Sequence, residues 1–171
     1  MTHISVQVAG NFSLPTSEAH KNLNKLIGYD RAHDAIPLWS LKEAGATVTL
    51  SSDWDVSTLN PFHGMAHAIN RGDQSIDLKV LHFILTFLYL YLMETIVFYL
   101  QSALTMYTLN GAFAMNQEST TGSLEVGKDA DVIVVDNDIF QLEAVSDNQG
   151  ITGTKVKMTL VEGEVVYING I

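Results

Sequence analysis

Apolar and polar positions along the first fifty residues follow a pattern of strands that alternate with helices. Residues 4–9 alternate between apolar and polar side chains, which predicts a short strand. Residues 17–27 have the spacing of a short amphipathic helix. A better helix is predicted over residues 37–44, because proline favours a first helical turn and Gly45 suits the position after a helix end. The β-branched run 46–51 then predicts a buried strand, which completes an αβ unit.

Two further helices are predicted before residue 116. Asn60-Pro61 combines a capping side chain with a proline suited to the first helical position, and the helix that follows is predicted to end at residue 70. Residues 101–115 carry Ala, Leu and Met at helical spacing. This last helix is predicted to end at Asn110-Gly111.

The character of the sequence changes near residue 116, where turn residues become frequent. Three short strand patterns follow, at residues 132–135, 155–160 and 164–168. Glu162-Gly163 predicts a hairpin turn between the last two. We therefore predict two units, residues 1–115 and a small β-rich composite domain of residues 116–171.

The segment 80–100 departs from the pattern of a globular domain. It is apolar throughout, with Glu94 as its only formal charge, and it lacks glycine and proline. Its length and apolarity are those of a membrane-spanning helix, and we expect one helix that continues into residues 103–110. Three origins stay open: translated non-coding sequence such as an unspliced intron, a membrane anchor, or an added helix that packs on a partner. Lys79 stands alone as a flanking basic residue, which favours the first origin over the anchor.

The net charge and the amino-acid composition exclude several kinds of partner and catalytic site. The net charge of −10 over 171 residues argues against nucleic acid and anionic membranes as partners. Residues from 116 onward contain ten acids and three lysines, so this part carries −7. The absence of cysteine excludes disulfides, zinc-thiolate sites and a thiol nucleophile. The first five residues lack a basic flank and an apolar core, so no signal peptide is predicted and a cytoplasmic location is expected.

Asp53 is the main candidate for a chemical role. It follows the predicted strand 46–51, and acids at the C-terminal ends of parallel strands face the catalytic mouth of an α/β barrel. A carboxylate there can bind a metal or accept a proton from metal-bound water. The structural alternative is that Asp53 caps the next turn.

The pair His63 and His67 has the spacing of two zinc ligands on one side of a helix. Gly64 stands where zinc proteases place a glutamate, and no third ligand is close in sequence. We therefore predict two partly exposed helix histidines that bind no metal. His3, His20 and His33 are isolated and are assigned no role.

Four blocks of the sequence, residues 37–61, 107–114, 122–136 and 159–167, resemble the amidohydrolase superfamily. They are most similar to its family-3 branch of N-substituted formamide deformylases and D-aminoacylase-like enzymes. Residues 37–61 (PLWSLKEAGATVTLSSDWDVSTLNP) are similar to the eighth-strand region of that family. The other blocks are residues 107–114 (YTLNGAFA), 122–136 (GSLEVGKDADVIVVD) and 159–167 (TLVEGEVVY). Together they cover most of the chain outside the apolar segment 80–100.

The resemblance implies an α/β fold: the C-terminal part of a (β/α)₈ metal-dependent hydrolase barrel, followed by a small β-rich domain. It implies one or two divalent metals, usually zinc, in the complete enzyme, and hydrolysis of a small-molecule, non-peptide amide bond by metal-activated water. Asp53 matches the eighth-strand aspartate of the family, which would bind the metal or carry the proton from that water to the leaving nitrogen. Such a metal lowers the pKa of bound water to about 7.

The family's remaining metal ligands are expected before residue 1, with residues 4–9 as the seventh strand. A catalytic zinc usually has three protein ligands. We therefore expect this chain alone neither to retain the metal nor to catalyse the family reaction. Two alternatives stay open: a catalytically inactive binding module, attached to a membrane only through residues 80–100, and the product of a pseudogene.

Overall fold

The computed structural model describes residues 3–5, 18–35, 37–55, 58–70, 100–140 and 151–170, which form a mixed α/β fold. The N-terminal elements are β1 (His3–Ser5), α1 (Glu18–Ile27), α2 (Tyr29–His33), α3 (Leu38–Glu43), β2 (Thr47–Thr49) and α4 (Pro61–Asn70). The later elements are α5, which covers residues 100–107, α6 (Leu109–Ala114), β3 (Val132–Val135), β4 (Val156–Val161) and β5 (Glu164–Ile168).

The predicted αβ unit is present and places β2 beside β1. The two strands are parallel, with Ile4 opposite Val48. Gly45 has a φ of 83°, a left-handed conformation in which a side chain would be strained, so glycine suits the turn between α3 and β2. The predicted helix 37–44 and strand 46–51 are both confirmed, with bounds one or two residues shorter at each end.

Helix α4 begins and ends at the predicted residues. The Phe62 backbone N–H donates to Asn60 Oδ1 at 3.0 Å, so the Asn60 side chain satisfies one of the free amides of the first turn. The amphipathic helix predicted over residues 17–27 is also present as α1. Its Leu26 is 81% exposed, so this leucine is not packed against the described part of the chain.

The helix predicted up to Asn110-Gly111 is interrupted earlier and ends later than expected. The chain leaves α5 at residue 107, turns at Thr108, and forms α6 through Asn110 and Gly111 as far as Ala114. The Thr108 backbone N–H and hydroxyl both donate to the Leu104 carbonyl, at 3.0 and 2.9 Å. Both bonds have the i→i−4 spacing found within helices, and α5 ends here because the Thr108 backbone adopts φ −113° and ψ −91°, outside the helical range. The predicted end at Asn110-Gly111 is therefore wrong.

One apolar core connects the helices to β2. Val48 of β2 and Leu50, just after the strand, are buried in it, and Ala46, just before the strand, packs against it. Alternate residues of this extended stretch therefore face the helical layer. The Trp39 indole N–H donates to the Ala68 carbonyl at 2.9 Å and ties α3 to α4. The largest fully buried side chains of this core are Leu38, Met65, Leu100, Met106, Ile151 and Val48.

The three C-terminal strands form one antiparallel sheet in the order β3-β4-β5. Glu162 and Gly163 join β4 to β5 with φ values of 51° and 81°, as a tight hairpin turn requires. The three predicted strands are thus confirmed to within one residue, and they pair in one sheet. Ile139 and Ile151, near this sheet, belong to the same apolar cluster as the helices, and the domain boundary at residue 116 stays a prediction.

The predicted apolar helix 80–100 lies outside the described residues, except for Leu100. Leu100 is fully buried and stands at the first described position of α5. Within the described ranges, no helix combines the length and apolarity needed to cross a membrane.

Candidate functional site

Asp53 lies in the loop that follows β2, at the C-terminal end of that strand. Because β1 and β2 are parallel, their C-terminal ends lie at the same end of the sheet. The predicted position of Asp53 relative to the strand is therefore confirmed. Its backbone has a φ of 49°, and aspartate tolerates this left-handed conformation better than bulkier residues do. The Asp53 side chain is exposed and open to solvent.

Helices α5 and α6 form hydrogen bonds with β2 and with the residue that follows it, just before Asp53. The Leu50 backbone N–H donates to the Met106 carbonyl at 3.2 Å. The Asn110 side-chain amide donates to the Val48 carbonyl at 2.8 Å, across 62 positions of sequence. Asn110 lies in the block 107–114 but was not predicted to belong to the site. The polar side chain at the start of α6 was the available signal.

The two histidines of α4 are both half-buried. Gly64 lies between them and packs against Tyr107 of α5, so closely that a Cβ at this position would overlap the Tyr107 hydroxyl. Packing therefore accounts for the glycine where a zinc protease has glutamate. Burial raises the pKa of Tyr107 above its usual range, because the phenolate form would lose its hydration. The prediction that His63 and His67 bind no metal stays a prediction.

Two acids of the block 122–136 accept backbone hydrogen bonds that connect the C-terminal strands. Asp131 Oδ1 accepts the backbone N–H of Glu162 at 2.9 Å, and Asp136 Oδ1 accepts that of Lys155 at 2.9 Å. These carboxylates anchor the two ends of β3 to β4 and its hairpin. We assign both acids a structural role.

A side-chain cluster closes the turn before β3. Lys128 Nζ donates to Ser123 Oγ at 2.6 Å, and the Ser123 hydroxyl donates to Glu125 Oε1 at 2.6 Å. The Ser123 hydrogen bond and the positive charge of Lys128 hold the pKa of Glu125 below its usual value. The hydroxyl is thus oriented towards the carboxylate, and the cluster stabilises the turn.

Within the part of the chain that the structure describes, Asp53 is the candidate for a chemical role in this arrangement. Among the described residues, no three His, Cys, Asp or Glu side chains are grouped so that they could hold a metal ion. Asp53 can accept or release a proton, or give one carboxylate ligand. The described residues do not by themselves fit a catalytic metal, which usually needs three protein ligands.

Comparison with known proteins gives matches along almost the whole chain. The model of the amidohydrolase family matches residues 3–167. The imidazolonepropionase of Bacteroides fragilis is 32% identical over 114 residues, which are 67% of this chain and 21% of that protein. A 5-methylthioadenosine/S-adenosylhomocysteine deaminase of Symbiobacterium thermophilum is 39% identical over 74 residues, which are 38% of this chain and 16% of that protein.

A solved structure has a similar fold. The crystal structure of an amidohydrolase from Thermotoga maritima MSB8 superposes with a TM-score of 0.57 and 20% identity, over 97% of this chain and 32% of that one. The chain thus spans about a fifth of the length of the curated relatives and a third of the solved structure. The family-3 amidohydrolase assignment is thus confirmed by the family match. Neither curated relative bears the name of a formamide deformylase or a D-aminoacylase, so the narrower resemblance to those enzymes is not confirmed.

Proposed function

Because this chain belongs to the amidohydrolase family, we propose that it is the C-terminal part of a hydrolase that acts on carbon–nitrogen bonds of small molecules and not on peptide bonds. The observation that carries the proposal is the family match over residues 3–167, in which Asp53 follows the C-terminal end of a parallel strand. The deaminase named above breaks a carbon–nitrogen bond by definition. The substrate class we favour is a small amide, in line with the resemblance to N-substituted formamide deformylases and D-aminoacylases.

In this proposal β1 and β2 are the last two strands of a (β/α)₈ barrel. Their parallel pairing supports it, and so does the face of β2 on which Val48 and Leu50 pack against the helices. Barrels of this kind place their outer helices on such a face and their active site at the C-terminal ends of the strands. The first six strands would come from sequence that precedes these residues in a longer protein.

Asp53 would be the residue of this chain that takes part in the reaction. Its exposed carboxylate can accept a proton from the attacking water and return it to the leaving nitrogen, a general acid–base role worth about 10²–10⁴ in rate. A divalent metal, with zinc as the family's usual choice, would draw its other ligands from outside the described residues. We therefore expect this chain alone to be inactive.

A chimera tests the proposal in a chain long enough to form the whole barrel. This chain replaces the homologous segment of the Bacteroides fragilis imidazolonepropionase, and the imidazolonepropionase activity and bound zinc are measured. Asp53→Asn should lower kcat by about 100-fold or more while circular dichroism stays unchanged. Asp55→Asn is the matched control, because Asp55 is exposed in the same loop, and its activity should stay within about threefold of the parent chimera.

Two outcomes would contradict the proposal. The first is a folded chimera whose activity is insensitive to Asp53→Asn. The second is a folded, zinc-loaded chimera that is inactive with Asp53 intact, because the strand and loop would then fail to supply the catalytic carboxylate.

A further inference from the structure

The dipeptide Asn-Gly occurs twice in the chain, in two different structural settings. Asn110-Gly111 lies inside α6 and is half-buried, whereas Asn169-Gly170 follows the last residue of β5 and is exposed. A Cβ added to either glycine would meet no atom within 4 Å, so crowding at the glycine does not distinguish the two pairs. Asparagine is a thermolabile residue, and a following glycine leaves its side chain open to attack by the next backbone nitrogen.

We propose that Asn169 is a modification site, at which the side chain deamidates without an enzyme. The Gly170 backbone nitrogen loses its proton and attacks the Asn169 Cγ. A C–N bond forms, and the carboxamide nitrogen leaves as ammonia. Water then opens the resulting five-membered imide: opening at the backbone carbonyl gives isoaspartate, and opening at Cγ gives aspartate. Both products carry a carboxylate that is charged at neutral pH, so the chain gains one negative charge.

The backbone around Asn169 leaves this attack unobstructed. The Asn169 N–H donates to the Lys157 carbonyl at 2.8 Å, which is the last tie of this segment to β4. The reacting groups, the Asn169 side chain and the Gly170 nitrogen, lie beyond that bond and outside β5. Among the described residues the Gly170 N–H donates to no acceptor. The attacking nitrogen is therefore not engaged in the sheet.

Helix α6 protects Asn110 against the same reaction. Closure of the imide ring requires an asparagine ψ far from the helical value of about −42°, so the first turn of α6 would have to open. The Ala112 N–H donates to the Thr108 carbonyl at 2.9 Å, and the Met115 N–H donates to the Gly111 carbonyl at 3.2 Å. Because such bonds must break before the ring closes, we expect deamidation at Asn110 to be about 10-fold or more slower than at the exposed pair.

The test follows both asparagines in the full chain during incubation at neutral and at mildly alkaline pH. Proteolysis and peptide mass mapping give the deamidated fraction at each position, and an isoaspartate carboxyl methyltransferase with S-adenosylmethionine detects isoaspartate. In native buffer the rate at Asn169 should exceed that at Asn110 by about 10-fold or more. It should rise with pH, because the attacking nitrogen must lose its proton. In urea the two positions should react at similar rates, because α6 no longer protects Asn110.

Asn169→Gln is the matched variant. It keeps an exposed carboxamide but adds one methylene, so the ring would need six atoms and should form far more slowly. This variant should lose the fast reaction and keep the slow one at Asn110. Equal rates at the two asparagines in native buffer would overturn the proposal. It would also be overturned if Asn169 stayed intact for as long as the glutamine in the variant, or if the deamidated chain contained no isoaspartate.

Discussion

Replacing Gly64 with alanine tests the packing of α4 on α5. Alanine in place of glycine inside a helix normally stabilises by about 0.5–1 kcal/mol, because it reduces the freedom of the unfolded chain. At this position the added Cβ would overlap the Tyr107 hydroxyl and stand 2.9 Å from the ring Cζ and 3.2 Å from Cε2. Such overpacking costs about 1–3 kcal/mol. We therefore expect a net loss of about 1–2 kcal/mol in the free energy of unfolding, because the overlap outweighs the gain in helix propensity.

The matched control is Gly111→Ala in α6. A Cβ at Gly111 meets no atom within 4 Å, so this variant should be as stable as the wild type or more stable by up to about 1 kcal/mol. Tyr107→Phe removes the overlapping hydroxyl but not the close ring carbon. Added to Gly64→Ala it should therefore restore only part of the stability, with a coupling of about 1 kcal/mol.

Urea unfolding followed by circular dichroism gives these free energies from the midpoint and the slope. The reasoning would be refuted if Gly64→Ala were as stable as Gly111→Ala. It would also be refuted if Tyr107→Phe changed the stability of the wild type and of the Gly64→Ala variant by the same amount.

Two further predictions concern the β unit. Asp131→Ala should lower the free energy of unfolding by about 1 kcal/mol, because the Glu162 N–H loses its acceptor. Asp131→Asn should keep most of that free energy, because an amide oxygen can still accept the Glu162 N–H. Urea unfolding of both variants measures the difference. Glu125 has a lowered pKa in the folded chain, so its stabilising effect is present at neutral pH and is lost as the pH falls below 4.5 and through the folded value. Glu125→Gln should therefore reduce the loss of thermal stability between neutral and acid pH, and an unchanged loss would contradict the role of the Ser123–Lys128 cluster.

Local chemistry made part of the fold predictable. Asn60 and Pro61 specify the start of α4 through a cap and a fixed φ, and Gly163 supplies the left-handed turn of the hairpin. The break at Thr108 was missed because Ala, Leu and Met continue at helical spacing across it. The non-helical backbone angles of Thr108 show that α5 ends there, and the sequence pattern carries no sign of them.

The candidate site was predictable in position and less so in environment. The helix α3 and the strand β2 are specified by residues close to each other in sequence, so their order could be predicted. That order places Asp53 after the C-terminal end of a strand. The contact of Asn110 with Val48 joins residues 62 positions apart, and no local pattern indicates which backbone carbonyl a distant carboxamide will reach. The catalytic and metal-binding role of Asp53 stays a prediction, because the described residues contain no group of three side chains that could hold a metal ion.

The two carboxylate anchors of β3 have a consequence for strand slippage. All four residues of β3 are half-buried or exposed, so burial alone specifies its alignment with β4 only weakly. A shift by one residue would turn Val132 and Val134 to the opposite face of the sheet. Asp131 and Asp136 penalise this shift at both ends, because each carboxylate would lose the backbone amide that it accepts. Two of the acidic residues in this region thus specify the register of β3, a strand of valines and one isoleucine whose burial alone specifies it only weakly.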